Sequence, residues 1–153
     1  MSTNKQASIA TAKFIHEFTA RGIPVSIPID GSLSYDLVID INGDLNRVQV
    51  KSTTRSDEIV LVVKLQRTHL LSERRCYKNY TKDDFDLLAI YDVNHNMCYL
   101  VGSKYWENKG TLNLRFKPTR SGQQAGILYA SSFTLTNMLS SEHESCINTK
   151  MRV

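Results

Sequence analysis

Cysteine is scarce in this chain, and its spacing carries no signal. Cys76, Cys98 and Cys146 are odd in number and scattered. That excludes a disulfide framework and points to reduced thiols. No CxxC pair occurs, which argues against structural zinc. His16, His95 and His143 are equally dispersed. His16 reads as a surface residue of the first helix, His95 as part of an Asn94-His95-Asn96 turn, and His143 has no partner in sequence. There is no long apolar run and no signal peptide, so the expectation is a soluble, cytoplasmic protein without a membrane partner. No internal repeat is present. With 41% hydrophobic and 22% charged residues, disorder is excluded and a globular domain is expected. A length of 153 residues suits a single domain. Net charge is mildly basic, +4 with a pI near 9.0, which favours polyanionic partners.

What the sequence does contain is a hairpin that gathers polar side chains. Two β-rich runs, Tyr35–Ile41 and Asp44–Lys51, flank Asn42-Gly43. Asn-Gly supplies the two φ > 0 residues of a type I′ turn, the strongest short-range hairpin signal. Counting outward from an Ile41–Asp44 pair, Asp36 falls directly across the ladder from Gln49, with Cβ atoms roughly 5 Å apart. Lys51, two residues on, shares the Gln49 face. A carboxylate, an amide oxygen and an ammonium therefore converge without any tertiary assumption. That trio suits phosphodiester hydrolysis. Mg²⁺ takes one or two carboxylates, keeps several waters and uses phosphate oxygens for the rest. It polarises the phosphate and helps generate the nucleophile. Asp36 is the anionic ligand in this reading, with the Gln49 side-chain oxygen and the Val50 carbonyl beside it. Mn²⁺ is the natural substitute. Lys51 positions the water or offsets developing charge. The competing reading is a solvated polar face with a cross-strand Asp–Gln hydrogen bond. A bulge at Gly43-Asp44 would break the register.

Tyr35-Asp36 followed by Gln49-Val50-Lys51 resembles the PD-(D/E)xK nuclease motif, with Gln in place of the second acid. The wider stretch from Arg21-Gly22-Ile23-Pro24 through Lys51-Ser52-Thr53 is similar to homing endonucleases of restriction-enzyme fold, of the kind encoded in cyanobacterial group I introns. Asp83-Asp84-Phe85-Asp86-Leu87-Leu88, Cys98-Tyr99-Leu100-Val101 and Arg115 through Gln123 look like the same family's distal segments. The resemblance covers about the first 130 residues. It implies a restriction-endonuclease-like α/β core with a mixed central sheet flanked by helices, and site-specific hydrolysis of double-stranded DNA with Mg²⁺. It also implies a homotetramer, a dimer of dimers. Palindromic cutting needs at least a dimer on physical grounds, because two-fold protein symmetry must match the two strands.

One position departs from the family, which carries a glutamate on the first helix aimed at the metal. Thr11 stands there in this chain. The spacing predicts a helix over Ala7–Ala20 with a buried stripe of Thr11, Phe14, Ile15 and Phe18. Thr11 is the polar member of that stripe, facing the sheet. Glu17 lies off it, four residues from both Lys13 and Arg21, and reads as a solvated helix ion pair. Asp36 is then the sole certain carboxylate of the site, so metal affinity and activity are expected to be reduced.

A coarse pass along the chain supports an α/β core. A short strand is expected at Val25–Ile27, then the hairpin. Ile59–Leu65 follows as a buried central strand. A second hairpin runs Asp86–Tyr91 to Met97–Val101 across Asn94–Asn96. A further strand is expected at Leu112–Pro118, and a helix over Phe133–Leu139 capped by Ser131 or Ser132. The nuclease domain is placed at residues 1–140 and a polar tail at 141–153.

Charge nominates the DNA contacts. Arg55 and Lys64 flank the strand after the motif. Arg74, Arg75 and Lys78 form a basic patch interleaved with Tyr77 and Tyr80. Arg115, Lys117 and Arg120 lead into Gln123 and Gln124. Arg and Lys neutralise phosphates, while Arg and Gln also read base edges. The competing reading is a solvated basic face. The expected protein is cytoplasmic and nucleoid-associated when bound. Two alternatives stay open. One is a Holliday-junction resolvase or restriction endonuclease on the same core. The other is a DNA-binding module with impaired catalysis, suggested by the neutral residues at 11 and 49.

Overall fold

The computed structural model describes residues 3–71 and 74–140, and the side chains of 4–67 and 76–140 among them. The helix α1 spans Thr3–Ala20, starting earlier than expected. Its fully buried members are Ala10, Phe14 and Phe18, four residues apart, with Ile15 packed beside them. Thr11 is half-buried and flanks this stripe, a correction to its expected place within it. The helix stops at Gly22, whose φ of +73° is readily adopted without a Cβ. Ile23 donates to the Phe18 carbonyl at 3.0 Å and Gly22 to that of Thr19 at 2.9 Å, the paired bonds of a Schellman cap. Glu17 pairs with Lys13 at 3.2 Å and Arg21 at 2.6 Å, the ion pair expected from spacing.

Five strands form the central sheet. They are β1 (Val25–Ser26), β2 (Leu37–Ile41), β3 (Asp44–Thr53), and, beyond intervening elements, β7 (Leu87–Asp92) and β8 (Met97–Gly102), in spatial order β1-β2-β3-β7-β8. β3 and β7 run parallel, and the other neighbours are antiparallel. The sheet is therefore mixed, as the fold class required. One face carries Leu37, Ile39, Val48, Val50, Leu87 and Ala89 against α1. The other carries Leu88, Ile90, Tyr99 and Val101.

That second face is covered by an element placed differently by sequence. β4 (Val60–Lys64) is not a central strand. It pairs antiparallel with β9 (Thr111–Arg115) in a separate two-stranded sheet, whose Leu61, Val63, Leu112 and Leu114 complete the second core. A continuous apolar run cannot tell a central strand from one covered on a single side. Here Val60 and Val62 are only half-buried. An interior position in the central sheet, between β3 and β8, belongs to β7, buried at five of its six positions. Between β4 and β7 in sequence lies a second two-stranded ribbon, β5 (Arg67–Leu71) and β6 (Arg74–Lys78), in the stretch read from sequence only as basic and aromatic. A short helix, α2 (Ser103–Trp106), follows β8 and buries Trp106. Near the end, a 3₁₀ turn at Ala130–Phe133 precedes a helical segment at 135–140. The Thr134 hydroxyl, rather than Ser131 or Ser132, takes the Asn137 backbone N–H at 3.4 Å. The helix therefore starts later, at a Thr whose hydroxyl reaches the third helical position.

Candidate active site

The hairpin register is the expected one. β2 and β3 pair Ile41 with Asp44 and Leu37 with Val48 without a bulge. Asn42 and Gly43 hold the turn at φ of 57° and 93°, and the Asp40 carboxylate braces it by accepting the Gly43 N–H at 2.7 Å. One step beyond β2, where the ladder pairing has ended at Leu37–Val48, Asp36 donates its backbone N–H to the Val48 carbonyl at 2.9 Å, and its carboxylate reaches the Gln49 side chain. The chain then leaves β3. Where another strand residue would pair, Val50 gives its N–H to the Asp36 carboxylate at 2.7 Å. The Gln49 amide nitrogen donates both to Asp36 Oδ2 and, at 3.1 Å, to the Val50 carbonyl oxygen. The site thus sits in the gap that β2 opens at the edge of β3.

These contacts test whether a metal suits the residues. Asp36 Oδ2 and the Val50 carbonyl aim at one point, and the –NH₂ of Gln49 takes the bonds that a cation would take there. Turning the Gln49 amide about its terminal torsion presents its oxygen instead. Carboxylate, carbonyl and amide oxygens are the hard donors that Mg²⁺ or Ca²⁺ prefers, so the set fits. It is also sparse: no group of three or more His, Cys, Asp or Glu side chains gathers among the described residues.

Burial is the largest influence on Asp36 and pushes its pKa up. The Val50 N–H, the Lys51 charge and the Gln49 amide oppose it. A buried carboxylate with raised proton affinity is costly to keep charged, and a bound cation relieves that cost. Val48 and Val50 face α1, so Gln49 and Lys51 face the opposite side by strand alternation. There Lys51 Nζ donates to the Tyr80 hydroxyl at 3.3 Å and lies 5.3 Å from the ring centroid. Thr11 is not joined to this constellation by any described hydrogen bond. Its hydroxyl donates back to the Ala7 carbonyl at 3.1 Å, a common fate of threonine inside a helix.

Two further clusters frame the site and were not assigned from sequence. Arg47 binds Asp86 through Nε at 3.1 Å and an ion pair at 2.9 Å, and its guanidinium also reaches the Asp83 and Lys82 carbonyls. Arg47 holds the Asp86 carboxyl below its usual range. Arg67 binds Ser34 at 2.5 Å and Asp84 at 2.9 Å, so it fastens the loop that delivers Asp36. Side chains 39 and 33 residues apart in sequence leave no local periodicity to read.

The basic candidates lie on strands and loops outside the central sheet. Arg55 is exposed just after β3. Lys64 is exposed at the end of β4, with Nζ 5.1 Å from the Tyr77 ring. Lys78 is exposed at the end of β6, while the side chains of Arg74 and Arg75 lie outside the described residues. Arg115 Nε donates to the Lys117 carbonyl at 3.2 Å, and Lys117 pairs with Glu58 at 3.0 Å. Arg120, Gln123 and Gln124 are exposed on a loop turned by Gly122 at φ +71°. His143, Cys146 and the proposed tail at 141–153 lie outside the described residues.

The family model for PD-(D/E)XK endonucleases matches residues 1–136. No curated protein matches the chain. Among solved structures the chain is similar to the bacterial homing endonuclease I-Ssp6803I. The TM-score is 0.74 at 25% identity, over 95% of this chain and 97% of that one.

Proposed function

The chain belongs to the PD-(D/E)XK endonuclease family, and from that premise we propose which residues carry its site-specific cleavage of DNA. Asp36, the Val50 carbonyl and the Gln49 amide oxygen hold Mg²⁺, with Mn²⁺ able to replace it. A divalent ion held by these residues would supply polarisation of the scissile phosphate and a bound water of lowered pKa. Lys51 stands beside that position and offsets negative charge as it develops on the phosphate. The observation that carries this reading is the convergence of Asp36 Oδ2 and the Val50 carbonyl on the Gln49 amide, with Lys51 on the same strand face. Calorimetric titration with Mg²⁺ and Mn²⁺ tests it. Binding by the wild type that is lost in Asp36→Asn supports the assignment, and equal binding by both proteins refutes it.

The single carboxylate and the neutral Thr11 favour weak metal binding and slow turnover. Thr11→Glu is expected to raise the cleavage rate at low Mg²⁺, by restoring the acid that the family places on this helix. An unchanged rate in a metal titration would mean that α1 supplies nothing to the metal.

The double-stranded substrate is gripped by basic residues on the elements outside the central sheet. Arg67 and Tyr80 root the β5–β6 ribbon beside Lys51, so the strand that carries Arg74, Arg75 and Lys78 starts from the wall of the site. A two-stranded ribbon is an element that the major groove admits. The loop bearing Arg120, Gln123 and Gln124 supplies base contacts, whereas Lys117 is engaged by Glu58. Arg120→Ala is therefore expected to relax sequence preference more than Lys117→Ala does, measured as the ratio of cognate to random-duplex affinity at fixed salt. Equal effects on both duplexes would remove Arg120 from base reading. One such chain spans a short stretch of duplex, so a long site requires several subunits. The assembly proposed is a dimer of dimers, and a dimer by light scattering at working concentration would count against it.

A further inference from the structure

We propose that Tyr80 is the positioning residue for Lys51 and sets the rate of cleavage through that ammonium. A lysine ammonium is a point charge on a flexible four-carbon stem. Strand β3 fixes its root but not its tip. The tip is engaged by Tyr80, whose hydroxyl accepts from Nζ at 3.3 Å and whose ring lies 5.3 Å from it. The hydroxyl makes the direct contact with the cation, and the ring carries that hydroxyl on a rigid frame.

Tyr80 is itself rigidly held. It is 5% exposed and meets Phe85 edge-on at 5.0 Å, and Phe85 stacks on Trp106 at 4.2 Å. Phe85 and Trp106 are fully buried in the core beneath the β4–β9 sheet. The guanidinium of Arg67 lies 5.5 Å from the same ring and is anchored by Ser34 and Asp84. Ser34 precedes Asp36 by two residues. The Tyr80 ring therefore neighbours both the cation of the site and the residue that fastens the loop delivering its carboxylate. A core side chain needed only for packing would not require its hydroxyl at Lys51.

The inference rests on the reading of Lys51 as the active-site cation, and single-turnover cleavage with saturating enzyme separates the two. Tyr80→Phe keeps the ring and its packing and removes the hydroxyl alone. Its cleavage rate is expected to fall about tenfold, as when a catalytic group loses its orientation, with DNA affinity and melting temperature unchanged. In a Lys51→Met background, where only residual cleavage remains, adding Tyr80→Phe is expected to cost nothing more. A wild-type rate in Tyr80→Phe overturns the proposal, as does a further loss in the Lys51→Met background. Full activity of Lys51→Met would remove the underlying reading. An inactive Lys51→Met beside a fully active Tyr80→Phe would remove only the role of Tyr80.

Discussion

Lys51→Met lowers the cleavage rate by about a hundredfold or more, the usual cost of losing one group aimed at developing charge, while DNA affinity is retained. Methionine keeps the length of the stem and its packing against the Tyr80 ring, so the fold has little reason to change. No ion pair involves Lys51 among the described residues, and its removal leaves no salt-bridged carboxylate behind. The loss falls on the chemical step. It also reaches Asp36. The Lys51 charge is one of the groups that oppose the upward push of burial on the Asp36 carboxyl. Without it, Asp36 holds its proton to higher pH, and the acidic limb of the metal-dependent rate profile moves upward. Single-turnover rates across pH, beside fluorescence anisotropy with labelled duplex, check both parts. A parallel fall in affinity and rate would make Lys51 a DNA-binding residue instead.

Asp36→Asn is expected to reduce cleavage by about 10³-fold, as loss of a metal ligand removes several kcal/mol of transition-state stabilisation. It is not expected to destabilise the metal-free fold. The folded-state pKa of Asp36 is raised, chiefly by burial. The folded protein therefore holds this proton more tightly than the unfolded chain does. The resulting stability is fully present below the ordinary carboxyl value, about 4, and is lost as pH rises through the folded value. Near neutral pH the ionised, buried carboxylate is a net cost to the fold. Asparagine removes that cost and still offers an oxygen to the Val50 N–H. The melting temperature of metal-free Asp36→Asn should equal or exceed that of the wild type near neutral pH. The two should converge in acid. Added Mg²⁺ should raise the melting temperature of the wild type alone. A variant less stable than wild type without metal would assign Asp36 a structural role.

The hairpin was legible because its register depends on local information. Asn42-Gly43 fixes the turn, and every pairing from Ile41–Asp44 outward follows from it. The Lys13–Glu17–Arg21 ion pairs were legible for the same reason, since helical spacing sets them. Errors began where local pattern is degenerate. β4 reads as a central strand because Val-Leu-Val-Val presents no polar face, yet it lies in a separate sheet with β9. Thr11 reads as part of the buried stripe because Ala10, a small residue, carries weak periodic signal. Ala10 packs in the core while Thr11 bonds to its own helix. Arg47–Asp86 and Arg67–Ser34 were invisible because both join segments brought together only by the fold. Tyr80 was visible as one aromatic in a basic stretch. Its contact with Lys51 depends on how β6 returns toward β3, which no spacing encodes.

The most direct measurement is cleavage of a randomised duplex library by the wild-type protein with Mg²⁺, beside Lys51→Met. Discrete cuts at a recurrent sequence, present only with the divalent ion and lost in the variant, are the expected result. Cutting that survives in Lys51→Met, or that proceeds equally well in chelator, would contradict the assignment of cleavage to the Asp36–Gln49–Lys51 site.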